Sequence, residues 1–171
     1  SQITFDHKTI LEADGAVLPG VGSFPEAMQH LEELDLIDVI KDFIASGKPF
    51  MGICLGFQLL FTESEEFIHI KGLGIIEGNG ESLSRQLTKV PVPHVGWNTV
   101  KKHKLKQENL KNGSANIGMD ENEYFYFVHS YFVNPDNKNH IYTTTKYGEI
   151  EFCSSIAREN VFASQFHPEK S

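Results

Sequence analysis

Pro49-Phe50-Met51-Gly52-Ile53-Cys54-Leu55-Gly56-Phe57-Gln58 decides how this chain folds. The first half is a short apolar run that reads as a buried strand, and residues 55–61 read as a helix. Between them a cysteine sits in G-x-C-x-G. A strand that turns sharply into a helix strains the residue at its apex and needs small neighbours. Gly52 and Gly56 provide them around Cys54. The first N–H groups of the helix and its positive dipole end then face the sulfur and favour thiolate over thiol. The N–H of Leu55 is placed to stabilise an oxyanion. A buried structural cysteine is the competing reading of the same residues.

Upstream, Ala16-Val17-Leu18 is a second buried strand, stopped by Pro19-Gly20. Ser23 and Glu26 form a capping box, with Pro25 in the first turn. Met28, Leu31, Leu34, Ile37, Ile40 and Ile44 recur at helical spacing, which predicts one helix ended by Gly47 and Pro49. Strand, helix, strand, helix with buried strands predicts an α/β fold with a parallel sheet covered by helices. Strands are predicted at 73–77, 95–100, 124–133, 140–146, 149–156 and 161–166, with a hairpin turn at Tyr147-Gly148. The sheet is therefore expected to be mixed, with its antiparallel portion toward the C-terminus.

A second informative stretch is Gln165-Phe166-His167-Pro168-Glu169-Lys170. Pro168 disfavours a helical conformation at His167. In an extended chain, residues i and i+2 share a side, so His167 and Glu169 would face one site. A thiol nucleophile needs a base that works near neutral pH, and histidine suits this. A carboxylate then orients the ring and steadies its cation. An exposed His-Pro-Glu turn explains the same residues, and spacing alone leaves both readings open.

The chain has 171 residues, 40% hydrophobic, and a formal net charge of −8. Its length fits one domain with a real core. The acidic balance argues against nucleic-acid or anionic-membrane binding. Lys101, Lys102, His103, Lys104 and Lys106 form a basic cluster that reads as a solvated loop or helix edge. Two cysteines give no secreted disulfide framework, so a reducing cytoplasm is expected. No apolar run is long enough to span a bilayer. His94 and His129 read as structural, and Cys153 as inert.

The segments at Cys54 and His167 together resemble the signature of the class I (triad-type) glutamine amidotransferases. Leu18-Pro19-Gly20-Val21-Gly22-Ser23-Phe24, Pro93-His94-Val95-Gly96-Trp97-Asn98 and Phe127-Val128-His129-Ser130-Tyr131 are similar to the glutaminase subunits of imidazole glycerol phosphate synthase. The resemblance implies a flavodoxin-like three-layer fold with a mixed, mainly parallel sheet. It implies a triad of Cys54, His167 and Glu169. Gly20, Val21, Gly22 and Leu55 would form the oxyanion site, and Gln58, Ser130 and Tyr131 would hold glutamine. Trp97, Asn98, Tyr126 and Lys170 would meet a (β/α)8-barrel cyclase subunit. No metal or cofactor is implied. Relative to that family, the chain is expected to lack the first strand and the last helix.

Overall fold

The computed structural model describes residues 1–67, 69–105, 119 and 123–170; Lys106 of the basic cluster and Ser171 lie outside them. In chain order the elements are α1 (His7–Glu12), β1 (Ala16–Gly20), α2 (Phe24–Glu33), α3 (Leu36–Ala45), β2 (Phe50–Cys54), α4 (Leu55–Leu59), β3 (Phe61–Ser64), β4 (Ile70–Lys71) and β5 (Ile76–Ser82). There follow β6 (His94–Thr99), β7 (Lys101–Lys102), β8 (Tyr124–His129), β9 (Tyr131–Pro135), β10 (Ile141–Tyr147), β11 (Ile150–Arg158) and β12 (Val161–Ser164).

The main sheet runs β1-β2-β12-β11-β9-β5-β3-β4, with β10 joining β11 to β7. It is mixed, as the sequence suggests. Parallel pairing joins β1, β2 and β12, and also β3 with β5. The other ladders are antiparallel, so the parallel share is smaller than the alternating first third of the chain implies. Short connections account for this: β10 and β11 are joined by the two-residue turn Gly148-Glu149, and a tight turn cannot link parallel neighbours. That turn lies one residue beyond the predicted Tyr147-Gly148.

Two cores lie against this sheet. Phe24, Leu31, Leu36, Val39 and Phe43 from α2 and α3 pack with Phe50, Val161 and Ala163 on one face. The second core joins Phe125 and Phe127 of β8 to Phe132, Phe152 and Phe166. The antiparallel ribbon β6–β8 therefore serves as a further layer beside the main sheet.

The predicted single helix over 28–44 is two. Asp35 has a left-handed backbone (φ 53), which an α-helix cannot continue through. The break changes which residues face inward. Leu34 is left 42% exposed, while Leu36, Val39, Ile40 and Phe43 are buried.

The capping box at Ser23 is also corrected. Ser23 occupies the N-cap position but makes no side-chain cap bond. Phe24 N instead donates to Glu66 Oε2 at 2.7 Å, a buried cap from 42 residues away. The predicted strand 124–133 divides at Ser130, with β8 in the ribbon and β9 in the main sheet. The predicted strand 73–77 begins only at Ile76, and β3 escaped the sequence reading. Lys101 and Lys102 form strand β7 rather than a loop or helix edge, because their backbones pair with Thr143 and Thr144.

Candidate active site

Cys54 ends β2 and begins α4, with φ 54 and ψ −108. A non-glycine residue holds such a conformation only where its surroundings enforce it. Here β1 and α4 enforce it. A Cβ on Gly56 would lie 1.8 Å from the Leu18 carbonyl oxygen, so α4 can sit against β1 only with glycine there. The strand-to-helix elbow expected from G-x-C-x-G is present.

The electrostatic expectation is corrected. The Cys54 thiol is pushed up to about 11, first by burial; Glu169 adds to the rise, while the Leu55 N–H and Gln165 oppose it. Burial outweighs these two donors because a buried charge loses its hydration. At rest the sulfur is a thiol, and its Sγ lies 3.9 Å from the Val128 carbonyl oxygen that accepts its proton. Activation therefore requires a base.

His167 is a histidine on the same cavity wall as Cys54. Its Nδ1 lies 2.8 Å from Glu169 Oε1. An ionised carboxylate only accepts, so Nδ1 carries the proton and Nε2 keeps the basic lone pair. Burial works against ionisation of Glu169, but its own backbone N–H, His167 and Lys170 outweigh it and hold the carboxyl below its usual range.

The pair is brought together by a turn, not by the predicted strand alternation. Residues Pro168–Lys170 form a 3-10 turn, and Lys170 N donates to His167 O. The backbone N–H of His167 donates to Tyr126 O at 2.9 Å, which ties this turn to the ribbon.

Cys54 and His167 open on one cavity of about 310 Å³, whose walls include Val21, Gly22, Leu55, Gln58, Glu66, Ser130 and Tyr131. That volume is at the small end of the roughly 300–1,000 Å³ typical of small-molecule sites. Gly20 stands one step back, paired with Cys54 across β1 and β2. Gln58 lines the cavity, but its amide nitrogen is committed to Tyr131 O at 3.1 Å and Gln165 Oε1 at 2.9 Å.

Two residues escaped the sequence reading. Glu66 is a buried carboxylate on the cavity wall; burial pushes its pKa up and the Phe24 N–H pulls it back. Gln165 lies directly behind the sulfur, fully buried, with Nε2 3.7 Å from Sγ. No local pattern marks Glu66, because only its long-range bond to the start of α2 ties it there. Gln165 adjoins the His167 motif, which was its one signal.

The residues expected at a partner face divide. Trp97 is 56% exposed, and its ring meets Tyr126 edge-on at 5.8 Å. Lys170 Nζ sits 4.7 Å from the centre of the Tyr126 ring. With Val95, Tyr124 and Val128 also exposed, the outer face of β6–β8 is apolar. Asn98 is different: its amide nitrogen donates to Lys146 O at 3.0 Å and approaches His94 Nε2 at 3.3 Å, within its own chain.

His94 and His129 pack together behind the ribbon, and His129 also borders the cavity. Both are buried, with His94 Nδ1 3.0 Å from His129 Nε2, and His94 stacked on Tyr147. Both cysteines are free, and burial pushes the Cys153 thiol far up, leaving it inert. Among the described residues no cluster could hold a metal, and no helix is long and apolar enough to cross a membrane.

Comparison with known proteins agrees with this fold. The family model of glutamine amidotransferase class-I matches residues 2–171. Similar solved structures include a glutamine amidotransferase from Thermotoga maritima, with TM-score 0.61 and 16% identity, covering 91% of this chain and 56% of that one. The acivicin-bound glutaminase domain of Trypanosoma brucei CTPS gives 0.62 and 17%, covering 96% and 67%. At such identities these two establish the fold.

The imidazole glycerol phosphate synthase subunit HisH of Rhodopirellula baltica is 43% identical over 100% of this chain and 78% of its own length. The subunit of the same name from Aquifex aeolicus is 47% identical, over 99% and 76%. That from Pyrococcus furiosus is 48% identical, over 99% and 80%. The elbow, the family match along nearly the whole chain and these relatives together place the chain in the class-I glutamine amidotransferase family, among the glutaminase subunits of imidazole glycerol phosphate synthase.

Proposed function

We propose that the protein hydrolyses glutamine to glutamate and ammonia with Cys54 as nucleophile, and passes the ammonia to the synthase subunit of histidine biosynthesis. The observation that carries this reading is the single cavity shared by the Cys54 elbow and the His167–Glu169 pair.

Nε2 of His167 takes the Cys54 proton, and Sγ forms a bond to the glutamine side-chain carbonyl carbon. The resulting oxyanion is held by backbone N–H groups of Leu55 and the Gly20-Val21-Gly22 segment. Collapse breaks the C–N bond, and His167 returns its proton to the departing ammonia. Water, deprotonated by His167, then cleaves the thioester to glutamate. Glu169 keeps the base in its working tautomer and steadies the imidazolium. Ser130 and Tyr131 border the amino-acid end of the substrate. Glu66 is a carboxylate on the cavity wall and suits the α-ammonium.

Ammonia released into water becomes ammonium and loses its nucleophilicity, so the acceptor enzyme must dock close by. The apolar outer face of β6–β8, with Trp97 and Tyr126, suits a protein partner, since exposed aromatics anchor interfaces. We take that partner to be a (β/α)8-barrel cyclase that receives ammonia through a protected path in the cytoplasm. Val128, on this ribbon, offers its carbonyl to the Cys54 thiol, so docking there would be felt at the nucleophile.

The test is ammonia release from glutamine, with and without the cyclase and its ligand, in the wild type and Cys54→Ala. Turnover that needs Cys54 and rises with the cyclase is expected. Undiminished turnover in Cys54→Ala would remove Cys54 from the mechanism. Stimulation by a synthase of another pathway, and not by the cyclase, would reassign the acceptor.

A further inference from the structure

Gln165 touches the nucleophile, and the hydrolytic sequence above does not use it. Its side chain is fully buried and is not part of the cavity wall, so it does not touch substrate. The direction of its amide follows from its neighbours. The Tyr131 carbonyl oxygen can only accept, so Gln58 must turn its NH2 toward it. The same NH2 reaches Gln165 at 2.9 Å, and what it meets must be an acceptor, Oε1. That leaves Gln165 Nε2 facing Cys54 Sγ at 3.7 Å. The backbone of Gln165 is pinned as well, its N–H donating to Ser154 O at 2.9 Å. One carbonyl on β9 thus sets the polarity of two buried glutamines, and the second presents a fixed donor to the sulfur.

We propose that Gln165 is a positioning residue for the glutaminase reaction: its buried amide nitrogen donates to the Cys54 sulfur from behind, opposing the cost of burying a thiolate and holding Sγ toward the cavity. A fixed N–H donor stabilises the sulfur more when it is charged than when it carries a proton. Burial pushes the Cys54 thiol up to about 11, so an internal donor is what keeps its charged form within reach of His167. Gln58 acts one step behind, because it locks the orientation of Gln165. This inference rests on Cys54 being the nucleophile.

The experiment measures alkylation of Cys54 by iodoacetamide against pH, read by mass spectrometry, with the buried Cys153 staying unmodified as the sign that the fold is intact. Below the thiol pKa the rate follows the thiolate fraction, so a rise of one unit is a tenfold loss. Gln165→Met keeps the length and removes the donor; it should alkylate about tenfold more slowly at pH 8.5 and shift the profile up by about one unit. Gln165→Glu keeps an acceptor for Gln58 and places a carboxylate behind the sulfur; it should shift the profile further. A fault in packing alone would loosen the site and speed alkylation without ordering the two variants this way.

A second reading leaves Gln165 in place. The 13C resonance of its side-chain carbonyl should move as Cys54 titrates in the wild type and stay still in Cys54→Ala. Unchanged alkylation profiles in both variants, or a carbonyl resonance indifferent to Cys54, would overturn the role of Gln165. Failure of the nucleophile assignment looks different: Cys54→Ala would then retain turnover, whatever Gln165 does.

Discussion

The buried His94–His129 pair makes acid stability a direct test of the packing around the ribbon. His94 has its pKa lowered from 6.5 to about 4 by burial. His129 is lowered to about 3, first by burial, with His94 and His167 adding to the shift and the bond to the Tyr131 carbonyl opposing it. Both rings are therefore neutral in the folded protein at pH 5, while in the unfolded chain both are mostly protonated. The unfolded state binds more protons, so stability falls as pH falls from about 6.5 toward 4 and is regained on the way back up. With unfolded values near 6.5, each ring costs about 2 kcal/mol at pH 5 and about 0.2 kcal/mol at pH 7. The pair should thus remove about 3–4 kcal/mol between pH 7 and pH 5, a large part of a typical ~5–15 kcal/mol stability. Urea unfolding followed across that window in the wild type and in the double variant His94→Gln/His129→Gln separates this from the carboxylates common to both. The wild type should lose stability more steeply by about 2 kcal/mol per unit between pH 6 and pH 5. Equal slopes would mean that the rings are protonated or hydrated in the folded protein, and the buried neutral pair would be wrong.

Two further outcomes follow from particular contacts. Gly56→Ala places a Cβ 1.8 Å from Leu18 O, well inside the 3.0 Å that real contacts respect, so α4 must move by at least 1.2 Å (3.0 − 1.8). That should cost about 3 kcal/mol in urea unfolding and about a hundredfold in glutaminase turnover, whereas Gly47→Ala, with φ 79 and open space around it, should cost about 1 kcal/mol and leave turnover alone. Glu66→Gln keeps an oxygen for Phe24 N but removes the charge facing the cavity. It should raise KM for glutamine about tenfold or more with kcat and unfolding little changed; a KM equal to wild type would rule out contact with the α-ammonium.

The sequence by itself determined the elbow and the α/β class of fold, and set His167 and Glu169 two residues apart. These are local: G-x-C-x-G dictates a turn because backbone sterics act between neighbours, and His167 with Glu169 is short-range chemistry. Most strands in the second half were legible for the same reason, as apolar runs between turn residues. What only the tertiary structure decided is how distant segments share one environment. The helix predicted over 28–44 breaks at Asp35 because burial of Leu36 and Phe43 outweighs continuity of the pattern. The strand predicted over 124–133 divides at Ser130 because two layers compete for it. Glu66 caps α2 from 42 residues away, and Gln165 meets Cys54 across 111. The resting state of the sulfur belongs here too. A sequence shows a helix start and suggests a thiolate; burial, a property of the whole fold, leaves a thiol, because removing a charge from water costs more than the Leu55 N–H at the helix start returns.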